Sequence, residues 1–200
     1  TLLPGDFIYK DVNGDGIING MDERPIGYPE GWAPIMSFGG NIGLAWKGID
    51  LNIDLSGGAM QGWRQNYELA NAYHGNGNSP VYLLEDRWHR ADLYDPDSEW
   101  IPGRYPAIRK GEFSYNNKNS DFWLHNVRYL RIKNLEVGYS LPAQLLRPIR
   151  AQKVRIYANV SNLCSFDNVG KFGVDPEITA AAAVVYPQQR TFLLGFNITY

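Results

Sequence analysis

The sequence lacks several features that would identify common classes of protein. It holds one cysteine, Cys164, in 200 residues, which excludes an internal disulfide framework. The formal net charge is -2, so no basic surface for nucleic acid or for an anionic membrane is indicated. No run of about 18 apolar residues occurs, so a transmembrane helix is not predicted. Thr1 stands where an initiator methionine would, without a signal peptide, so we expect a processed chain or part of a longer one.

Residue types that carry catalysis are present without a convincing arrangement. His74, His89 and His125 are scattered along the chain, and their spacing does not predict a zinc site. Cys164 has no histidine near it in the sequence that would make it a nucleophile. The charged run 85–92 is more simply a salt-bridged loop than a pair of glycosidase carboxylates. We therefore expect no enzymatic activity.

The last ten residues, 191–200, show the most informative pattern in the chain. Their large apolar side chains fall on alternate positions, and small or polar side chains fall between them, with Leu193 as the exception. Alternation with a period of two predicts a β-strand whose two faces meet different surroundings. A strand of about ten residues with one apolar face and aromatic ends is typical of a transmembrane β-strand.

The same pattern recurs earlier in the chain and predicts four further strands. Residues 37–46 and 49–56 form a hairpin around the turn at Lys47 and Gly48, and residues 129–141 and 154–163 form two more strands. The alternation changes face near Lys133 and Asn134, which predicts either a β-bulge or a strand that leaves the bilayer at that point. The predicted fold is all-β, an antiparallel transmembrane β-barrel segment of about five strands with long extracellular loops.

The connections between the predicted strands alternate between short and long. Short turns are typical of the periplasmic side of outer-membrane barrels, and long loops of the extracellular side. The predicted segments are an extracellular loop at 1–36, the hairpin at 37–56, a long extracellular loop at 57–128 and the last three strands at 129–200. The smallest such barrels have about eight strands, so we expect this chain to be the C-terminal part of a larger barrel or to pair with another chain.

The two faces of the predicted strands receive opposite assignments. The polar face is predicted to line an aqueous lumen, and the apolar face to contact lipid. The residues assigned to the lumen are Asp50, Asn52, Asp54, Arg155 and Asn159. The residues assigned to lipid include Phe38, Ile42, Leu44, Ile53, Val160, Leu194 and Phe196.

Residues 11–22 have the spacing of a twelve-residue calcium loop, with oxygen-bearing side chains at five ligand positions and Gly16 at the sharp turn. The predicted ligands of a structural Ca²⁺ are Asp11, Asn13, Asp15, the carbonyl of Ile17, Asn19 and Asp22. Asp22 stands where a longer glutamate is usual, and the preceding segment is extended rather than helical. A turn rich in Asn, Asp and Gly that holds no metal is therefore the alternative.

The long middle segment is rich in aromatic residues. Rings on loops can stack on sugars or peptides, so Trp63, Trp88, Trp100 and Trp123 are weak candidates for substrate binding. The alternative is a compact loop that is packed by its own side chains.

An ordered set of segments resembles the SusC/RagA-type TonB-dependent outer-membrane transporters. The set begins with Pro4-Gly5-Asp6 and the calcium-like run from Tyr9 to Ile18. It continues with 129–135 and 138–142, with 154–158 followed by Asn162-Leu163, with Asp175-Pro176-Glu177, and with 186–188 and 190–192. The resemblance spans nearly the whole chain and keeps the order of the segments.

The resemblance implies the C-terminal part of a large barrel in the bacterial outer membrane, with an N-terminal plug outside this chain. It also implies import of glycans or peptides, energy supplied through TonB, and a SusD-type surface lipoprotein as the lid. The terminal Tyr200 resembles the signal that the barrel-assembly machinery recognises. The alternative function from the residues alone is a secreted, calcium-binding β-sandwich that binds carbohydrate.

Overall fold

The computed structural model describes residues 2–31, 33–109, 115–177, 186 and 188–200. The strands are β1 Met36–Trp46, β2 Ile49–Arg64, β3 His89–Arg90, β4 Trp100–Ile101, β5 Leu124–Ser140, β6 Lys153–Asp167 and β7 Thr191–Thr199. The α-helices are α1 Val81–Glu85 and α2 Ala143–Leu146. Short 3₁₀ turns lie at Gly20–Asp22, Tyr67–Leu69, His74–Asn76, Arg147–Ile149 and Gly170–Phe172. Within the described ranges, no helix combines the length and the apolar composition that a membrane span requires.

The chain divides into two compact units. The first contains the described residues up to Glu30 and those of Gly62–His125. The second contains the described residues of Gly31–Gln61 and Asn126–Thr179 and of Tyr186–Tyr200. The second unit holds most of a five-stranded sheet in the order β1-β2-β5-β6-β7, and the first holds the two-stranded β3–β4 pair.

The register of the large sheet confirms the predicted sharing of faces. In β1 and β2, Ile42 lies opposite Ile53, and Asn41 lies opposite Asp54. Pairs among β5, β6 and β7 show the same separation of apolar from polar side chains, as at Leu135↔Val160, Glu136↔Asn159, Ala158↔Leu194, Ile156↔Phe196 and Arg155↔Asn197. Leu193 lies opposite Asn159 on the polar face, as its exceptional position in the sequence pattern indicates.

The strand boundaries require one correction. The predicted hairpin ends at Ser56, and 57–128 was predicted as loop, whereas β2 continues to Arg64 and β5 already begins at Leu124. Gly57 and Gly58 end the side-chain alternation, but strand pairing uses backbone groups, and both glycines pair with β1. A Cβ at Gly57 would lie 2.7 Å from the carbonyl oxygen of Tyr129, so close strand packing explains the glycine there.

The predicted bulge is confirmed, and its extra residue lies in β6. The pairing passes from Ile132↔Cys164 to Asn134↔Ser161, so Lys133 lies opposite two residues. One of these two, Asn162, has a φ of 54°, the left-handed backbone that places an extra residue in a strand. The bulge lies at the position where the sequence pattern of β5 changes face.

The apolar face of the sheet is exposed. Leu194 and Phe196 have 83% and 69% of their surface accessible, and all residues of β1 are exposed. A β-sandwich requires such a face to pack against a second sheet. In the part of the chain that the structure describes, the other sheet is the two-residue β3–β4 pair, so the sandwich alternative is not supported.

The first unit is packed by aromatic side chains. Leu83, Tyr105 and Trp123 are buried together, with Phe7 and Phe122 against them. This packing fits the alternative that the middle segment forms a compact loop structure held by its own side chains.

Candidate functional site

The polar face of the sheet carries an ion cluster that joins three strands. Arg155 on β6 donates from Nε to Oδ2 of Asp50 on β2 at 3.0 Å, and from Nη2 to Oε1 of Glu136 on β5 at 2.7 Å. Asn159 donates to the other oxygen of Glu136 at 3.3 Å. Three of these residues were predicted for the lumen. Glu136 was missed, although its position between Leu135 and Val137 indicates the same face.

Two glycines leave room for the large side chains of this cluster. A Cβ at Gly138 would overlap the guanidinium of Arg155, and one at Gly195 would overlap the ring of Tyr157. The guanidinium lies over the Tyr157 ring at 5.1 Å from its centroid. Arg155 therefore reaches both carboxylates across the glycine at 138, and its charge is neutralised by two acidic side chains.

A second cluster ties the connection between β6 and β7 to the polar face. Arg131 is 5% exposed, and its guanidinium donates to Asp175 at 2.6 Å and to Glu177 at 2.9 Å. The amide oxygen of Gln188 accepts a third bond from Arg131 at 2.7 Å. Planar guanidinium groups suit such multiple carboxylate contacts. The bonds hold residues 175–177 on the sheet.

Glu177 is the centre of this second cluster. Lys133 donates to its carboxylate at 2.7 Å, and the hydroxyl of Ser56 donates to it at 3.0 Å. Burial alone would raise the pKa of Glu177, but the hydrogen bond from Lys133 and the charge of Arg131 outweigh burial and hold that pKa below its usual value. Glu177 is therefore an anion that connects β2 and β5 to the β6–β7 connection.

The four tryptophan candidates separate into two pairs. Trp123 is 1% exposed and donates from Nε1 to the carbonyl of Asn116 at 2.7 Å, and Trp63 is 3% exposed and stacks on His125. Both rings are part of the packed interior, so they stabilise the fold and offer little surface to a substrate. Trp88 and Trp100 are half-buried, and these two keep accessible surface for a ligand.

The calcium-like loop is closed by its own hydrogen bonds. Asp11 accepts from the amides of Gly14 and Gly16 at 2.6 and 2.8 Å, and Asp15 accepts from the amide of Ile17 at 2.8 Å. Two more of the predicted side-chain ligands form similar turns, with Asn13 accepting from the Asp15 amide and Asn19 from the Met21 amide.

Asp22 makes the largest number of these loop bonds. Its carboxylate accepts from the amides of Asn19, Val12 and Asn13, and these bonds, that from Asn19 first, hold the pKa of Asp22 below its usual value. Over the described ranges, no group of three or more His, Cys, Asp or Glu side chains is arranged to hold a metal ion. A bound cation would therefore need the Asp22 carboxylate to turn from the amides towards it. Calcium binding by this loop stays a prediction.

The three histidines and Cys164 lie outside the two ion clusters. His125 contacts Oε1 of the buried Gln65 at 2.9 Å, and His89 lies in β3. The ring of His74 lies tilted against that of Tyr67, with centroids 5.6 Å apart. Cys164 lies in β6 opposite Ile132. These positions bring none of the four residues into the two ion clusters.

Comparison with known proteins decides the relationship of the chain. It is 27% identical over 210 residues to the TonB-dependent receptor P3 of Formosa agariphila, a match that covers 98% of this chain. It is 33% identical over 99 residues, 47% of this chain, to the TonB-dependent receptor SusC of Bacteroides thetaiotaomicron. The chain is a homologue of the TonB-dependent receptors. No family model matches the sequence.

This TonB-dependent receptor homologue spans only part of the length of its relatives, 19% of P3 and 9% of SusC. Two solved structures of the RagAB peptide importer share its fold. The 'open-open' state has a TM-score of 0.57 at 22% identity, covering 86% of this chain and 18% of that chain. The 'closed-closed' state has a TM-score of 0.56 at 23% identity, covering 84% and 18%.

These findings confirm the predicted fold class and the predicted location. The five-stranded sheet of the homologue is a segment of an outer-membrane β-barrel, and within the described residues it is not closed. The SusC/RagA-type resemblance seen in the sequence is confirmed by the relatives and by the shared fold.

Proposed function

We propose that the chain forms the C-terminal barrel wall of a TonB-dependent importer that takes glycans or peptides through the outer membrane. The observation that carries the proposal is the division of one sheet into two faces. One face is apolar and exposed, and the other carries fully paired ion clusters around Arg155 and Arg131. A barrel wall between lipid and an aqueous lumen requires this division.

The open sheet supports a larger barrel. In the described residues β1 and β7 each have a neighbour on one side only. Unpaired strand edges cost several kcal/mol per backbone group in hydrocarbon, so further strands must pair with both edges. The share of the relatives' length that the chain covers is consistent with the remaining strands, and with a plug, lying outside this chain.

The partners follow from the same proposal. A SusD-type surface lipoprotein would act as the lid, TonB would supply energy through the plug, and the chain itself would perform no catalysis. The names of two relatives, SusC and the RagAB peptide importer, support this partnership and leave glycan and peptide both open. The two long connections in the sequence, 65–123 and 168–190, are the segments that we assign to the lid and to substrate.

Growth assays test the proposal. A strain without the complete receptor that contains this chain should fail to grow on one class of glycan or peptide, and the wild-type gene should restore growth. Restoration should require an intact TonB, and affinity purification of the receptor from outer membranes should recover a SusD-type lipoprotein. Normal growth of the deletion strain on every glycan and peptide of the panel, or TonB-independent growth, would contradict the proposal.

A further inference from the structure

A groove of about 400 Å³ lies on the apolar side of the second unit. Phe38 of β1 and Phe166 of β6 stand beside it, with Gly58 and Ala59 of β2 and Arg128 of β5 along it. Both rings lie on the apolar face, since Phe38 follows the alternation of Ile42, and Phe166 pairs with the exposed Leu130. We call this feature the aromatic groove. The inference drawn from this groove rests on the proposed function in one respect: that function places the apolar side of the sheet against lipid.

The walls of the aromatic groove suit a hydrocarbon chain. Phe38 is 47% exposed and Phe166 is 64% exposed, so both rings offer apolar surface. Two small residues, Gly58 and Ala59, also line the groove. A Cβ at Gly58 would meet Pro34 and the ring of Tyr129, so a side chain does not fit at that position. An acyl chain in the groove would cover this surface and pack against both rings.

Arg128 brings a positive charge to the lining of the groove. Its side chain is exposed, and no carboxylate among the described residues forms an ion pair with it. The carboxylate of Asp167, which also lines the groove, accepts from the amides of Val169 and Gly170. The Arg128 amide donates to Asn168 at 3.0 Å, which fixes the backbone from which the guanidinium extends.

The depth of Arg128 in the membrane matches that of a lipid headgroup. From Ser140, at the end with short connections, β5 rises about 30 Å along the membrane normal to Arg128, at about 3.3 Å per residue and a tilt of about 40°. The apolar band of such barrels is about 25 Å tall. Arg128 therefore lies just beyond the hydrocarbon on the side of the long connections, with the aromatic groove leading back into it.

We propose that the aromatic groove binds a phosphorylated lipid of the outer leaflet, with an acyl chain between Phe38 and Phe166 and the phosphate on Arg128. Guanidinium groups bind phosphate oxygens with two parallel hydrogen bonds. Charge complementarity favours an anionic headgroup over a zwitterionic one, because Arg128, which has no ion-pair partner among the described residues, lies at headgroup depth. The lipid would hold this part of the wall at a fixed depth and would keep the outer leaflet sealed against it.

The test uses the complete receptor in phosphatidylcholine nanodiscs that contain a minor fraction of lipid A, with retained lipid counted by native mass spectrometry. The wild type should retain lipid A. Arg128→Gln should lower retention about tenfold, the size of one lost charge-assisted hydrogen-bonding group, and Arg128→Lys should restore part of it. Phe166→Ser should lower retention as well. Lys47→Gln, which removes a cation at the opposite end of the sheet, is the matched control and should leave retention unchanged.

Equal retention by the wild type and Arg128→Gln, or an equal loss with Lys47→Gln, would overturn the proposal. Failure here is separable from failure of the proposed function, because substrate growth and recovery of the lipoprotein do not depend on lipid A. A receptor that imports substrate and retains no lipid A would refute the groove alone. A chain that does not enter nanodiscs at all would refute both.

Discussion

Placing a positive charge on the apolar face of β2 should destabilise the barrel far more than placing it on the polar face. Ile53 lies opposite Ile42 on the apolar face. From the turn at Lys47 and Gly48, the strand rises about 13 Å along the membrane normal to Ile53, at about 3.3 Å per residue and a tilt of about 40°. This is the middle of an apolar band about 25 Å tall. Ile53→Arg should therefore cost about 2–4 kcal/mol of unfolding free energy.

Two neighbouring variants provide the controls. Asn52→Arg adds the same charge one residue away on the polar face, near the carboxylates of Asp50 and Asp54, and should change the unfolding free energy by less than about 1 kcal/mol. Asp54→Ala removes a hydrogen bond of 2.7 Å from Asn41, an exposed contact that contributes about 1 kcal/mol.

The assay is urea unfolding of the complete receptor in lipid vesicles, followed by tryptophan fluorescence and by the shift of the folded band on cold electrophoresis. The expected order of destabilisation is Ile53→Arg well above Asp54→Ala, with Asn52→Arg lowest. Equal destabilisation by the two arginine variants would refute the assignment of the faces, because it would mean that both sides of β2 have the same surroundings.

Further predictions concern the loops. Arg131→Met should cost about 2–3 kcal/mol, because two carboxylates lose their cation, whereas Lys133→Met should cost less than about 1 kcal/mol, because Lys133 is more exposed. The pKa of Glu177 lies below the usual 4.5, so its stabilisation is constant above pH 4.5 and is lost as the pH falls below that value; urea unfolding at a series of pH values measures it. Asp15→Ala should abolish calcium binding of about 10⁻⁴ to 10⁻³ M affinity in titration calorimetry. Trp123→Ala should cost about 3–5 kcal/mol in the same urea assay.

Each of these predictions has an outcome that would contradict it. Equal costs for the Arg131 and Lys133 variants would mean that the β6–β7 connection is not held by the buried guanidinium. Loss of stability at a pH well above 4.5 would show that Glu177 is not the titrating group. Calcium titration without heat in the wild type would leave the 11–22 segment as a metal-free turn, and Glu23→Gln is the matched control beside it. Trp100→Ala, at a half-buried ring, should cost clearly less than Trp123→Ala.

The faces of the strands could be predicted from the sequence because a side-chain period of two fixes them. A slip of one residue would turn Leu194 and Phe196 from lipid to water, so the pattern and the register must agree. The bulge could be predicted for the same reason, since Leu130 and Ile132 break the alternation. Which strand holds the extra residue could not, because Asn162 shows its left-handed backbone only in the pairing.

The contacts between distant segments could not be predicted. In the sequence, Asp175 and Glu177 stand out only because the segment 175–177 resembles one in the SusC/RagA-type transporters. Their bonds to Arg131 depend on how the β6–β7 connection folds back onto the sheet. The end of β2 was also misplaced, since Gly57 and Gly58 hide a strand whose pairing uses the backbone alone. The burial of Trp63 and Trp123 depends on which rings pack together, and composition does not record that.

The central claim is that lipid meets one face of these strands and water the other. Spin labels placed singly at residues 192–198 of the complete receptor, in a background without Cys164 and other reactive cysteines, test it most directly. Labels at Phe192, Leu194, Phe196 and Ile198 should collide more with oxygen, which concentrates in the bilayer, and labels at Leu193, Gly195 and Asn197 should collide more with a water-soluble nickel complex. Collision rates without this two-residue alternation, or equally high nickel access on both faces, would contradict the account.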